Sequence, residues 1–257
     1  MVLFDTHTHL LDEKFDELRE QILLDLAIKD VRYIVECAAD EADSVRAVAL
    51  AEEHTAVFAA VGVHPHSASE YTEQTKNVLS VLAKHKKVVA IGEIGLDYHY
   101  DFSPRDVQKE VFEKQIRLAL ELDLPIVVHS REATQDTMKL LKKYPSVRGE
   151  LHCFSGSADT AKELLDMGYY IAFGGALTFK NAKKPIEAAG VVPLERLLIE
   201  TDCPYMTPVP YRGTTNKPEY VAIVAQKLAE IKQISVEQIA QATTQNAKDF
   251  FGIEDSI

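Results

Sequence analysis

Near the N-terminus the chain reads Phe4-Asp5-Thr6-His7-Thr8-His9, directly after Val2-Leu3. Read as a strand, this stretch alternates its side chains between two faces, so His7 and His9 project to the same side. Asp5 shares their parity and falls one layer deeper. Two imidazoles side by side with a carboxylate behind them offer nitrogen ligands to a metal ion, with a group to orient them. Alone, the pair reads equally well as two polar residues at a strand end. The same residue types recur, however, after Gly62-Val63 (His64, His66), within Ile91-Gly92-Glu93-Ile94-Gly95-Leu96-Asp97, and at His129, His152, Glu200 and Asp202. Each follows a short apolar run. Of the nine histidines, only His54, His85 and His99 fall elsewhere, which scattered surface residues would not do.

Histidine and carboxylate donors suit zinc, manganese, iron, cobalt or nickel, and a carboxylate-rich site also takes magnesium. So many candidate ligands exceed the needs of a closed tetrahedral structural site. They fit two divalent ions sharing a bridging carboxylate, an arrangement that activates water and clamps both oxygens of an in-line displacement. Residue by residue, blander readings stand beside this one. His129 and His152 could be buried, hydrogen-bonded imidazoles, His64 and His66 turn residues beside Pro65, and Asp97 and Glu200 groups that only orient neighbours. Glu93 between glycines is harder to explain as packing, because a carboxylate ending an apolar strand needs a partner.

The elements that must carry these residues are eight β-branched, apolar runs: Leu3-Thr8, Arg32-Cys37, Val57-Val63, Val88-Glu93, Pro125-His129, Gly149-Cys153, Tyr169-Phe173 and Arg196-Thr201. Nearly continuous apolar runs are expected of strands covered on both faces. Helical patterns lie between them. Ser103-Pro104 reads as an N-cap followed by proline at the first helical position, opening a helix with Phe112, Ile116, Ala119 and Leu120 on one face. Ser157 can cap a helix that stops at Gly168, and Ser235-Val236-Glu237-Gln238 is a capping box for a last helix ending at Gly252. Eight strand–helix units in about 250 residues predict a (β/α)8 TIM barrel with an extra C-terminal helix, as one domain over residues 1–257. A doubly wound open sheet would give much of the same pattern. Functional groups at the strand C-termini favour the barrel.

Composition sets bounds. The net charge of −12 over 257 residues excludes a broad basic face for polyanions but leaves room for a local positive site. Three widely spaced cysteines, Cys37, Cys153 and Cys203, point to reduced thiols in a cytoplasmic protein. No leader-like N-terminus and no stretch of about 18 apolar residues is present, so neither secretion nor a membrane span is expected.

The motifs together resemble the successive signatures of the TatD family of metal-dependent hydrolases. They are Asp5-x-His7-x-His9-Leu10, Gly62-x-His64-Pro65, Gly92-Glu93-Ile94-Gly95-Leu96-Asp97-Tyr98, Pro125-x-x-x-His129-Ser130-Arg131, His152-Cys153-Phe154-Ser155-Gly156, Glu200-Thr201-Asp202-Cys203-Pro204-Tyr205 and Thr207-Pro208-x-Pro210-Tyr211-Arg212-Gly213. They occur in order, and Gln245-Asn246-Ala247 resembles the family's C-terminal helix. The resemblance implies an amidohydrolase-type barrel and a deoxyribonuclease, commonly a 3′-to-5′ exonuclease, dependent on two divalent metal ions. It implies that His7, His9 and Asp202 hold one ion and His129 and His152 the other, with Glu93 bridging. No ligand is missing. Cys203 stands where many relatives carry serine.

For the substrate side, Asp202 is the candidate base, and Arg212 and His64 are candidates for holding the phosphate. Lys180, Lys183, Lys184 and Lys217 could add local positive charge, or be solvated surface. Tyr98, Tyr205 and Tyr211 could stack on bases or simply pack. DNA with single-stranded ends is the expected partner, and a monomer the expected state. A barrel hydrolase acting on a small ester, lactone or amide is the alternative, since fold and metals do not fix substrate.

Overall fold

A computed structural model describes residues 1–254. Strands and helices alternate along the chain: β1 (Leu3–Thr8), α1 (Arg19–Asp25), β2 (Val31–Cys37), α2 (Glu41–Glu53), β3 (Val57–Val61), α3 (Glu73–Leu82), β4 (Val88–Asp97), α4 (Arg105–Leu122), β5 (Ile126–Arg131), α5 (Thr134–Lys143), β6 (Gly149–Leu151), α6 (Ala158–Asp166), β7 (Tyr170–Phe173), α7 (Lys183–Val191), β8 (Leu197–Ile199), α8 (Val221–Lys232) and α9 (Val236–Phe251). The eight strands follow sequence order in one sheet, the topology of a (β/α)8 barrel, and α9 is the helix beyond the repeat. Two compact units make up the chain, residues 1–35 with 152–257, and residues 36–151. Among the described residues, no helix is long and apolar enough to cross a membrane.

In the first unit, β1 is buried along its whole length. Its end meets the chain just past β8 in a parallel bridge between Thr8 and Cys203. Asp202 N donates to the His7 carbonyl at 3.0 Å and His9 N to that of Cys203 at 2.8 Å. Beneath this seam, buried Asp5 accepts from Thr201 N at 2.8 Å and from Thr201 Oγ1 at 2.6 Å. These bonds end β8 early, because Asp5 takes the place of a ladder partner. The capping box at Ser235 forms as predicted, and Gly252 closes α9 in the left-handed conformation at φ 66°. α9 seals the unit with Phe251 stacked on Phe4 and Phe250 against Tyr170. Each such ring is worth about 1.5–3 kcal/mol on full burial. Asn246 Nδ2 donates to the Leu194 and Leu197 carbonyls and fixes the helix to the start of β8. Ser157 caps α6 by accepting from Thr160 N, and that helix stops before Gly168 at φ 85°.

In the second unit, β3 is shorter than the sequence suggests. Side chains replace the ladder there: Ser44 Oγ accepts from Gly62 N, and Gln115 pairs with both the N–H and the carbonyl of Val63. Conversely β4 runs on to Asp97, with Gly95, Leu96 and Asp97 in register with His129, Ser130 and Arg131 of β5. Gly95 makes that possible. Its φ is 147°, and a Cβ there would lie 1.9 Å from the His129 carbonyl oxygen. Two helix expectations need correction. Ser103 is not the cap of α4; it donates to the His66 carbonyl and accepts from Ser69 N, tying the chain after β3 to the chain after β4. Leu120 is exposed, and the buried face of α4 is Gln108, Val111, Phe112, Gln115, Ile116, Leu118 and Ala119.

Candidate metal centre

Within the first unit, β1 and the end of β8 bring His7, His9 and Asp202 together, with one ligand atom of each lying within 4.8 Å of the others. His7 Nε2 is 3.2 Å from His9 Nε2, and His9 Nε2 is 3.4 Å from Asp202 Oδ1. Donor atoms at about 2.1 Å from a tetrahedral ion stand about 3.4 Å from one another, so His9 stands at ligand spacing from both His7 and Asp202. Its chemistry fits as well. Two imidazole nitrogens pointed at each other repel unless one carries a proton, whereas a divalent ion satisfies both.

The surroundings orient these donors. Burial pushes the Asp202 carboxyl up, but the His9 hydrogen bond and the charges of His152, His7 and His9 outweigh it, leaving its pKa below the ordinary carboxylate value. The residue is therefore ionised, as a ligand must be. Asp5 supports β1 from behind, its own carboxyl pushed well up by burial against the donors Thr201 and His7 N. The His152 ring stacks on that of His7 at 4.0 Å between centroids, and its Nδ1 is 3.6 Å from Glu200 Oε1. Glu200 also accepts from Cys153 N at 2.6 Å, so it positions the turn after β6.

Within the second unit, His64, Glu93 and His129 form another such cluster. His129 Nδ1 is 2.8 Å from Glu93 Oε1, and His64 Nε2 is 3.6 Å from the same oxygen. The other nitrogen of His129 lies 3.2 Å from Asp97 Oδ2. A carboxylate on one ring nitrogen fixes the tautomer and frees the other nitrogen for an ion, the usual support of a metal-binding histidine. Asp97 is thus an orienting residue, one of the two readings open from sequence. Burial raises its pKa, but hydrogen bonds from His129, from Tyr100 N and from His66 overcome this, and it lies far below the ordinary value. His66 joins it at 3.0 Å. His64, expected on the substrate side, is placed in the ligand-like cluster by the structure.

The remaining substrate candidates divide. Arg212 is exposed, lies 4.0 Å over the Phe179 ring and donates to the Thr207 carbonyl. Lys180, Lys183 and Lys184 are exposed, and Lys217 is partly covered. Tyr98 is committed to structure, its hydroxyl donating to Asp136 at 2.6 Å under the Arg105 guanidinium. Tyr211 stacks on Tyr220. Tyr205 stays half exposed, edge-on to His9, with the Lys14 ammonium 4.8 Å from its ring centre. Sequence reasoning missed Thr201, whose signal was its place between two acids at the end of β8. It also missed Tyr100 and Phe102, whose signal was two aromatic residues just beyond Asp97.

Comparison with known proteins follows the same residues. A family model described as TatD related DNase matches residues 4–252. A Bacillus subtilis protein named as an uncharacterized metal-dependent hydrolase, YabD, is 48% identical over 254 residues, covering 98% of this chain and 100% of that protein. The YcfH protein of Escherichia coli K12, named likewise, is 39% identical over 261 residues, covering 100% and 98%. The crystal structure of YjjV, a TatD homologue from E. coli K12, superimposes with a TM-score of 0.92 at 32% identity, covering 98% of each chain.

Proposed function

The chain belongs to the TatD-related DNase family of metal-dependent hydrolases, and from that premise we propose that it is a deoxyribonuclease, acting 3′-to-5′ on single-stranded DNA ends with two divalent ions. The observation that carries this reading is the His7–His9–Asp202 cluster, with its donor atoms gathered within 4.8 Å of one another. In the assignment carried over from the family resemblance, a second ion takes His129 and His152, with Glu93 shared. Bound divalent ions would lower the pKa of water toward neutrality and polarise a phosphoryl oxygen.

The chain's own residues supply the rest. Asp202 accepts the proton of the attacking water, its pKa being low enough to keep it ionised at neutral pH. Asp5 and Thr201 hold it in place through the backbone. Asp97 fixes the His129 ring, and Glu200 the turn that carries His152. Arg212, with its planar guanidinium, contacts the phosphate. Phosphate neutralisation is local, consistent with a net charge of −12.

Incubating metal-loaded protein with end-labelled single-stranded DNA and sizing products over time tests the reading. Stepwise release of mononucleotides from the 3′ end is expected. An intact strand, with turnover of a small ester or lactone instead, refutes it. For the base, single-turnover cleavage by Asp202→Asn is measured with metal occupancy confirmed. A loss on the order of a hundredfold to ten-thousandfold is expected. A fully loaded variant within a few-fold of wild type shows that the proton goes elsewhere.

A further inference from the structure

Between β4 and α4 the chain exposes two aromatic rings that neither metal chemistry nor packing explains. Tyr100 is 48% and Phe102 67% exposed, and the two are neighbours rather than scattered singly. They stack on each other, with centroids 5.2 Å apart and planes inclined by 22°. The His66 ring stands edge-on to both, 5.3 Å from Tyr100 and 4.8 Å from Phe102. The Arg131 guanidinium lies 4.9 Å from the Tyr100 ring centre. The acids nearby are engaged with cations or imidazoles: Asp101 with Arg105 at 2.6 Å, and Glu132 with His99 at 2.9 Å.

One carboxylate ties this pair to the candidate metal centre. Asp97 Oδ2 contacts His129 and His66, while Asp97 Oδ1 accepts from His99 N and Tyr100 N, each at 2.9 Å. The group that orients a ligand therefore also sets the backbone from which the rings project. A ring pair with an adjacent guanidinium is chemically what an unstacked nucleobase and its phosphate require: a π-face for the base and positive charge for the backbone.

The geometry points to Tyr100 and Phe102, with Arg131, as a stacking subsite for a base of a single-stranded nucleic acid beside the His64–Glu93–His129 cluster. The inference rests on the nuclease reading and adds to it the residues that would hold an unpaired base, since a base within a duplex has no free face to offer.

The test uses the metal-loaded protein and two fluorescent strands of equal length, oligo-dT and the same backbone bearing abasic sites, both with phosphorothioate linkages to slow cleavage. Anisotropy gives the two affinities. Tyr100→Ala and Phe102→Ala should each weaken oligo-dT binding about fivefold to a hundredfold and leave the abasic strand unchanged. Tyr100→Phe and Phe102→Trp, which keep a π-face, should retain oligo-dT binding. Both side chains are exposed, so truncation leaves the core intact. Wild-type affinity for oligo-dT in both alanine variants, or an equal loss for the abasic strand, overturns the subsite. Cleavage of ordinary phosphodiester strands, with and without bases, reports separately on the nuclease reading. If the protein cleaves neither, that reading fails, while the base-dependent difference in binding still decides the subsite.

Discussion

Replacing Thr201 by valine removes a single hydroxyl at nearly constant shape. That hydroxyl donates to Asp5 Oδ2 at 2.6 Å, in a place where both residues are buried. The remaining donors to Asp5 are Thr201 N at 2.8 Å and the longer His7 N at 3.4 Å. A hydrogen bond to a charged acceptor is worth about 1.5–3 kcal/mol, and losing it leaves a buried carboxylate oxygen short of a donor. Burial already drives the Asp5 carboxyl toward its neutral form, so protonation relieves part of the cost. About 2 kcal/mol is the expected loss. For a chain of this size that lowers Tm by about 4–8 °C. Thr201→Ser keeps the hydroxyl and loses one buried methyl, about 0.8 kcal/mol. Thermal melts of chelator-treated protein should therefore rank wild type above serine and serine above valine. Metal affinity should fall in the same order, because Asp202 is the next residue. A valine variant that melts at or above the serine variant shows that the tie between Asp5 and Thr201 contributes no stability.

Glu93→Ala should lose bound metal in elemental analysis while its circular dichroism stays that of a folded chain; full occupancy with normal turnover counts against Glu93 as a ligand. Gly95→Ala should cost more than about 3 kcal/mol in denaturant melts, because the backbone is at φ 147° and the new Cβ meets the His129 carbonyl. Glu113 accepts hydrogen bonds from Lys143, Tyr144 and Arg117, in that order of effect, which hold its pKa at about 2 against an ordinary 4.5. A depressed carboxyl stabilises the fold above its unfolded pKa, so Glu113→Gln should be less stable by about 1 kcal/mol at neutral pH. That difference should shrink as pH falls from about 4.5 and vanish by about 2. A gap that persists in acid points to packing instead. Arg212→Ala should raise KM for DNA and flatten the salt dependence of binding; an unchanged salt slope argues against a phosphate contact.

Much of this was legible in the sequence because the signals are periodic. All eight strands lie where apolar runs predict them, and most of the donors sit at or just past strand C-termini, Glu93 inside the longer β4 being the exception. Parity placed Asp5 behind His7 and His9, and the structure puts it there. The misses concern side chains that substitute for backbone. Nothing in Gly62-Val63 reveals that Ser44 and Gln115, distant in sequence, end β3 by capturing its polar groups. Ser103 has the pattern of a cap but is recruited by His66 and Ser69. The ring pair at Tyr100 and Phe102 escaped notice because aromatic residues in a loop gain meaning only from exposure and mutual geometry.

The seam between β1 and the residues after β8 has a consequence for biosynthesis. His7 and His9 leave the ribosome first, yet their partner Asp202 and the anchor Thr201 arrive some two hundred residues later. Chains are made at about 5–20 residues per second, so the two histidines wait for roughly 10–40 seconds without the third donor. A nascent or truncated chain that stops short of Asp202 cannot complete this cluster, and the nucleolytic chemistry proposed for it would switch on only once the residues after β8 have emerged and closed against β1.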